Sequence, residues 1–162
     1  MVRALVAVVL VACSGAPGGP TMNNKIDDGT TLAPQRDPVE SADILGREPI
    51  TNAAKIKHIL IGWNDGTGDD GRKDQRAMKR TKKDAEDLIR SVLEQIKSGT
   101  DFDELMKKFS EDPGSASSAR AYDVSPEAQL VIEFKQLGLR LKIGEVGVVQ
   151  SEYGFHIMKR VE

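Results

Sequence analysis

The 162 residues carry 23 Lys and Arg against 25 Asp and Glu, a formal net charge of −2 that gives no general electrostatic case for a nucleic-acid partner. Aromatic residues make up 4% of the chain, too few for the stacking platforms that bind single-stranded nucleic acid, and the single cysteine excludes an intramolecular disulfide.

Residues 1–12 read as an export signal. Arg3 supplies the positive start, and Ala4 to Val11 form an apolar run too short to cross a bilayer. Leu10, Val11, Ala12 and Cys13 resemble a bacterial lipobox, in which the cysteine is diacylated and becomes the first mature residue. A membrane partner held through a lipid on Cys13 is therefore expected. Ser14, standing where an aspartate often retains lipoproteins at the inner membrane, points to the periplasmic face of the outer membrane of the cell envelope.

Residues 13–52 show no sustained periodicity. Gly15, Pro17, Gly18, Gly19, Pro20, Pro34 and Pro38 alternate with polar residues, and large apolar side chains are sparse. Such a composition buries too little surface to offset chain entropy and predicts a flexible tether, with a short helix around Ser41 to Leu45 as the alternative at its end.

The folded domain is expected over 53–162, a length typical of one small unit. Ile56 to Ile61 reads as a strand. Trp63 to Gly71 reads as a solvated acidic loop, whose Asp65, Asp69 and Asp70 lack the terminal glutamate of a calcium loop. Thr81 as N-cap and Asp84 in the first turn open a helix whose apolar face is Ala85, Leu88, Ile89, Val92 and Ile96, with Gly99 as its stop. Lys79, Arg80, Lys82 and Lys83 read as the exposed start of that helix. Asp101 and Glu104 form a capping-box-like pair for a second helix striped by Phe102, Leu105, Met106 and Phe109. Ser125, Pro126 and the stripe Leu130, Val131, Phe134 and Leu137 predict a helix over 126–137.

The chain closes on the strand Gly154 to Val161. Strand parity puts His156 opposite Phe155 and Ile157, just as it puts His58 opposite Ile59 and Ile61. If these two strands pair over a shared core, both histidines of the chain emerge on the other face. Parity alone leaves open that two histidines fall in strands by chance.

The stretch Phe109-Ser110-Glu111-Asp112-Pro113-Gly114-Ser115-Ala116 changes that balance. Together with Lys57 to Ile61, Gly99 to Phe109, Gly144-Glu145-Val146 and Tyr153 to Ile157, it resembles the parvulin-type peptidyl-prolyl isomerases, with the motifs in the family's order. The resemblance implies an α+β fold: a four-stranded antiparallel sheet wrapped by three to four helices, with the first and last strands central and adjacent. Carried over by position, the catalytic set falls on His58, Asp112, Ser151 and His156. The proline pocket falls on Leu130 and Phe134, with Val131 beside them and Tyr122 at the family's leucine position. The implied partner is an extended, proline-containing polypeptide, and the implied chemistry needs no cofactor and no metal.

The same chain departs from the family where a Gly-Gly-Asp-Leu-Gly-Trp-Phe-like segment is usual. Ser118 to Ser125 lacks the glycines and puts Ser125 at the pocket aromatic. Two alternatives to an active isomerase assisting exported or envelope proteins follow. One is a catalytically weakened domain that binds proline-containing segments as a chaperone. The other is a two-histidine, one-carboxylate metal site made from His58, His156 and Asp112. Asn64 to Asp70 stands where phospho-specific parvulins carry basic residues, so no phosphoserine requirement is expected.

Overall fold

Ile59 and Ile61 in the first strand and Phe155 and Ile157 in the last stand two positions apart and give each strand a shared apolar face, and these two strands form the centre of the fold. The computed structural model describes residues 38–65 and 74–162. In chain order the elements are α1 (Ala42–Leu45), β1 (Ala54–Ile61), α2 (Gln75–Met78), α3 (Lys82–Lys97), α4 (Phe102–Phe109), α5 (Pro113–Ser118), β2 (Tyr122–Val124), α6 (Ile132–Gly138), β3 (Val146–Ser151) and β4 (Gly154–Arg160). The sheet has four strands in the order β2-β1-β4-β3, every pair antiparallel. β1 and β4 are central and adjacent, as the resemblance implied.

Register sets which residues share a face. Ile59 pairs with Ile157 and Ile61 with Phe155, so these four side chains point into one layer. There they meet Ala85, Ile89 and Val92 of α3 and Phe102, Leu105 and Met106 of α4, all buried. α3 begins at Thr81, whose hydroxyl accepts from the Asp84 N–H while the Asp84 carboxylate accepts from the Thr81 N–H. It stops at Ser98, and Gly99 follows at φ +92, a conformation in which a Cβ would be strained. Gly154 answers a tighter need. At φ +144 its α-carbon passes so close to β1 that a Cβ would lie 2.6 Å from the Ile61 carbonyl oxygen.

The opposite face carries Ile56, Met158, Val149 and Val124 under Phe134 and Leu137 of α6, with Ile44 of α1 at the margin. α6 is only seven residues long. It covers the Ile56 and Met158 end of the sheet and leaves the His58, Leu60 and His156 end open as a cleft.

Four expectations change. Six helices are present among the described residues rather than three to four, because α1 and α2 are single turns and α5 is a short helix of small residues. The helix expected over 126–137 starts at Ile132, with Val131 as its N-cap residue. Residues 125–130 are instead spent on turns closed by Ala128 N–H to the Ser125 carbonyl (3.2 Å) and Leu130 N–H to the Ala128 carbonyl (2.8 Å). Tertiary packing of Leu130 and Val131 against the Phe134 cluster wins over the capping signal at Ser125 and Pro126. Arg80 is not part of an exposed helix start: its side chain is 14% exposed and sits 2.8 Å from the Glu111 carboxylate.

The fourth change concerns the tether. Residues 1–37, including the signal and Cys13, lie outside the described residues, as do residues 66–73 of the acidic loop. The end of the expected linker does not behave as one. Ser41 N–H donates to the Val148 carbonyl (2.9 Å), the Ser41 hydroxyl accepts from Val148 N–H (2.9 Å), and the Glu40 carboxylate accepts from Gln150 N–H (3.0 Å). The packed chain thus begins near Glu40 rather than at Ala53. Composition concealed this because the anchor is one buried side chain, Ile44, plus hydrogen bonds to a sheet edge.

Candidate active site

The open end of the second face is lined by His58, Leu60, Asp112, Tyr122, Gln129, Leu130, Val131, Phe134, Tyr153 and His156, around a hollow of about 300 Å³. Of the residues expected to form the catalytic set and the proline pocket, His58, Asp112, Tyr122, Leu130, Val131, Phe134 and His156 line it, and Ser151 hydrogen-bonds to His156.

The two histidines arrive by strand register. Leu60 of β1 pairs with His156 of β4, and His58 pairs with Met158, so the imidazoles are diagonal neighbours on one face. Their Nδ1 atoms are 3.2 Å apart and their rings are stacked, with centroids 5.4 Å apart. Ser151, on β3, reaches His156 Nε2 at 2.7 Å.

Asp112 is delivered by the segment that runs along β1 beyond the reach of the short β2. Glu111 N–H donates to the Leu60 carbonyl (2.8 Å) and Leu60 N–H to the Ser110 hydroxyl (3.2 Å). The chain then turns into α5, with Asp112 as N-cap and Pro113 in the first turn. One carboxylate oxygen of Asp112, Oδ2, accepts from Ser115 N–H (2.9 Å), from the Tyr122 hydroxyl (2.8 Å) and from His58 Nε2 (3.1 Å). A helix cap and a site group are the same atom. The sequence reading placed Tyr122 as an apolar wall. It is that, with its ring 5.0 Å from His58, but its hydroxyl bond to Asp112 was missed because the partner is ten positions away and on another element.

Phe134 supports the pair from above. It is 3% exposed and presents T-shaped contacts to His58 (centroids 5.1 Å) and His156 (5.5 Å).

The electrostatics set the proton positions. Burial alone would raise the Asp112 carboxyl, but hydrogen bonds from His58, Tyr122 and the Ser115 N–H outweigh it and hold the group far below the usual carboxylate range. The same neighbourhood, burial first and then the bond to Asp112, pushes the Tyr122 hydroxyl up to about 12. Burial, followed by the proximity of His58, lowers His156 to about 3. An ionised Asp112 only accepts, so His58 Nε2 carries a proton. With His58 neutral, its Nδ1 then accepts from His156 Nδ1–H, which leaves His156 Nε2 to accept from the Ser151 hydroxyl. Tyr153 N–H donates to that hydroxyl oxygen at 3.2 Å, consistent with Ser151 giving its own proton away. Donation runs one way, from Ser151 through both rings to Asp112. The ring nitrogens are engaged with one another and with Ser151 and Asp112, so they do not converge on a common point as ligands would. Among the described residues no group of three His, Cys, Asp or Glu side chains is placed to hold a metal ion.

A pH dependence of stability follows. The unfolded chain protonates His156 below about 6.5, whereas the folded chain resists until about 3. Stability is therefore fully present above about pH 6.5 and falls by roughly 1.4 kcal/mol per pH unit as the medium is acidified toward 3. Asp112 adds to the loss only below its ordinary carboxylate value. Urea unfolding between neutral and mildly acidic pH should show this slope, and His156→Gln should flatten it.

Comparison with known proteins agrees with this geometry. The family profile of the PPIC-type PPIase domain matches residues 42–162. The chain is 42% identical over 116 residues to chaperone SurA of Pseudomonas aeruginosa, covering 70% of this chain and 24% of that protein. It is 37% identical over 75 residues to foldase protein PrsA of Geobacillus kaustophilus, covering 46% of this chain and 27% of that one. It thus spans about a quarter of the length of these curated relatives. Among solved structures, peptidyl-prolyl isomerase ESS1 from Candida albicans shares the fold, with a TM-score of 0.58 at 23% identity over 68% of this chain and 63% of that chain. The chain belongs to the PPIC-type peptidyl-prolyl cis-trans isomerase family, and residues 42–162 are its isomerase domain.

Proposed function

We propose that the cleft grips the proline ring of an extended polypeptide and lowers the barrier to rotation about the preceding imide bond. The observation that carries this is one hollow with two kinds of wall: Leu130, Val131, Phe134 and the Tyr122 ring on the apolar side, and the hydrogen-bonded His58, His156 and Asp112 on the polar side. An X-Pro bond is held by partial double-bond character behind a barrier of about 18–20 kcal/mol, and rotation breaks no σ bond. A protein need only bind the twisted imide better than the planar one, each ~1.4 kcal/mol of difference giving tenfold in rate. Apolar walls that strip water from the substrate disfavour the planar amide, the more polar of the two.

The polar side is suited to holding rather than to transferring protons. Asp112 is far too acidic to take up a proton at neutral pH, and His156 stays neutral. Asp112, Ser151 and Tyr122 thus fix the tautomer and tilt of both imidazoles, and the rings offer the substrate a rigid polar floor. This reading uses no nucleophile, metal or organic cofactor. Leu130→Ala, which trims a partly buried side chain of the cleft, is expected to lower kcat/KM roughly tenfold in a protease-coupled proline-peptide assay with little change in melting temperature. A wild-type signal no higher than background, with retained peptide binding, would replace catalysis by a holding role.

The clients and the setting belong to the same proposal. Relatives named as a foldase and a chaperone support polypeptides in the process of folding as substrates. The sequence of residues 1–13 supports export and anchoring to the cell envelope through a lipid on Cys13. Cys13→Ala should move the protein from membrane to soluble fractions, and intact mass should show the diacyl group on the wild type alone.

A further inference from the structure

A second hollow of about 280 Å³ adjoins the first, lined by Gly114, Arg120, Ala121, Tyr122 and Asp123. Tyr122 contributes to the lining of both, and we take it as the partition between them. The two differ in character: the first has the apolar walls described above, and the second is predominantly polar. Its position follows from the backbone. Ala119 takes a left-handed conformation at φ 51, which turns the chain out of α5 and into β2 and leaves Arg120 exposed on the rim.

Charge singles out Arg120. The other charged group of this hollow, Asp123, already faces Lys55 of the neighbouring β1 at 3.5 Å and is 86% exposed. Asp112, on the cleft side of the partition, has its charge taken up by His58, Tyr122 and Ser115. The positive charge of Arg120 is felt at the Tyr122 hydroxyl, where it works against the rise caused by burial and Asp112. Arg120 and Tyr122 line the same hollow, so a chain that passes Tyr122 into it meets the guanidinium at its rim.

We infer that this hollow is a second subsite of the substrate groove, in which Arg120 receives the carboxylate of a glutamate or aspartate flanking the proline. The inference rests on the isomerase reading of the first hollow and adds a substrate preference to it. An extended chain whose proline ring sits against Phe134 and Leu130 has to leave the cleft past one wall, and the Tyr122 wall leads to a cation. A guanidinium suits this task because its planar fork can hold a carboxylate with two hydrogen bonds.

The test uses the full chain and peptides that differ only at the residues before and after proline, each taken as Glu, Gln or Lys. At one of these flanks the Glu peptide is expected to exceed the Lys peptide roughly five- to tenfold in kcat/KM at low salt, with the ratio shrinking as salt is raised. Arg120→Gln should bring the ratio close to one and Arg120→Glu should invert it. Anisotropy titrations of the same peptides, fluorescently labelled, read the ratio in Kd. An absence of turnover would therefore sink the isomerase reading while the charge preference is still measured. Equal values for Glu and Lys at both flanks, or a preference that survives Arg120→Gln, overturns the proposal.

Discussion

Replacing Asp112 by alanine is expected to lower kcat/KM roughly 10- to 100-fold. Three donors end on its Oδ2: His58 Nε2, the Tyr122 hydroxyl and the Ser115 N–H. Hydrogen bonds to a charged acceptor contribute about 1.5–3 kcal/mol each, and losing the acceptor strands all three at once. His58 keeps His156 at Nδ1 but loses the acceptor that fixes the proton on Nε2, and the one-way run of donation from Ser151 has no terminus. Asp112→Asn keeps the volume and an accepting oxygen, so it should fall between wild type and alanine in activity and hold the α5 cap better. Activity and thermal melting measured together separate the roles. Should melting drop while kcat/KM per folded molecule stays at the wild-type level, Asp112 is a helix cap and nothing more.

Glu111→Ala should cost about 3–5 kcal/mol of stability, enough to threaten folding of a domain this size. The Glu111 side chain is 3% exposed. Its Oε2 accepts from Gly62 N–H at 2.7 Å, where β1 has just ended, and its Oε1 lies 2.8 Å from Arg80 Nη1. Arg80 in turn donates to the Gly62 carbonyl at 2.8 Å. Removing the carboxylate leaves a largely buried guanidinium without its counter-ion and the Gly62 N–H without its acceptor. Pairing the change with Arg80→Met should recover part of the loss, since an apolar replacement of a buried ion pair is often near neutral, but the orphaned Gly62 N–H keeps a residual cost of about 1–3 kcal/mol. Urea denaturation of the two single variants and the double variant reads the coupling directly. Strict additivity would mean that the pair contributes nothing as a pair.

Legibility in the sequence tracked the range of the forces involved. The faces of His58 and His156 were readable because side-chain alternation along a strand is a local rule, but the adjacency of their two strands came only from the family resemblance. α3 was readable because Thr81 and Asp84 cap it within one turn. α5 was not: glycine and serine are poor helix formers, and the helix stands on the Asp112 cap, Ser117 donating to the Pro113 carbonyl and Ser118 to the Gly114 carbonyl, both at 2.8 Å. The start of α6 was misplaced because Ser125 and Pro126 form a legitimate start signal that distant packing overrides. The motif around Asp112 marked the site only through family resemblance. Its physical sense, Ser110 and Glu111 sealing the flank of β1 while Asp112 caps α5, needs partners from elements far apart in the chain.

The contacts of Glu40 and Ser41 with β3 bear on how such a domain survives its own work. If the proposed function holds, the domain is surrounded by extended segments able to add themselves as an extra strand wherever a sheet offers open donors and acceptors. Here the outer rim of β3 has its Val148 and Gln150 amides and its Val148 carbonyl satisfied from within the same molecule. The stretch around Glu40 and Ser41 thereby works as a built-in bumper that leaves those groups of the edge closed to another chain.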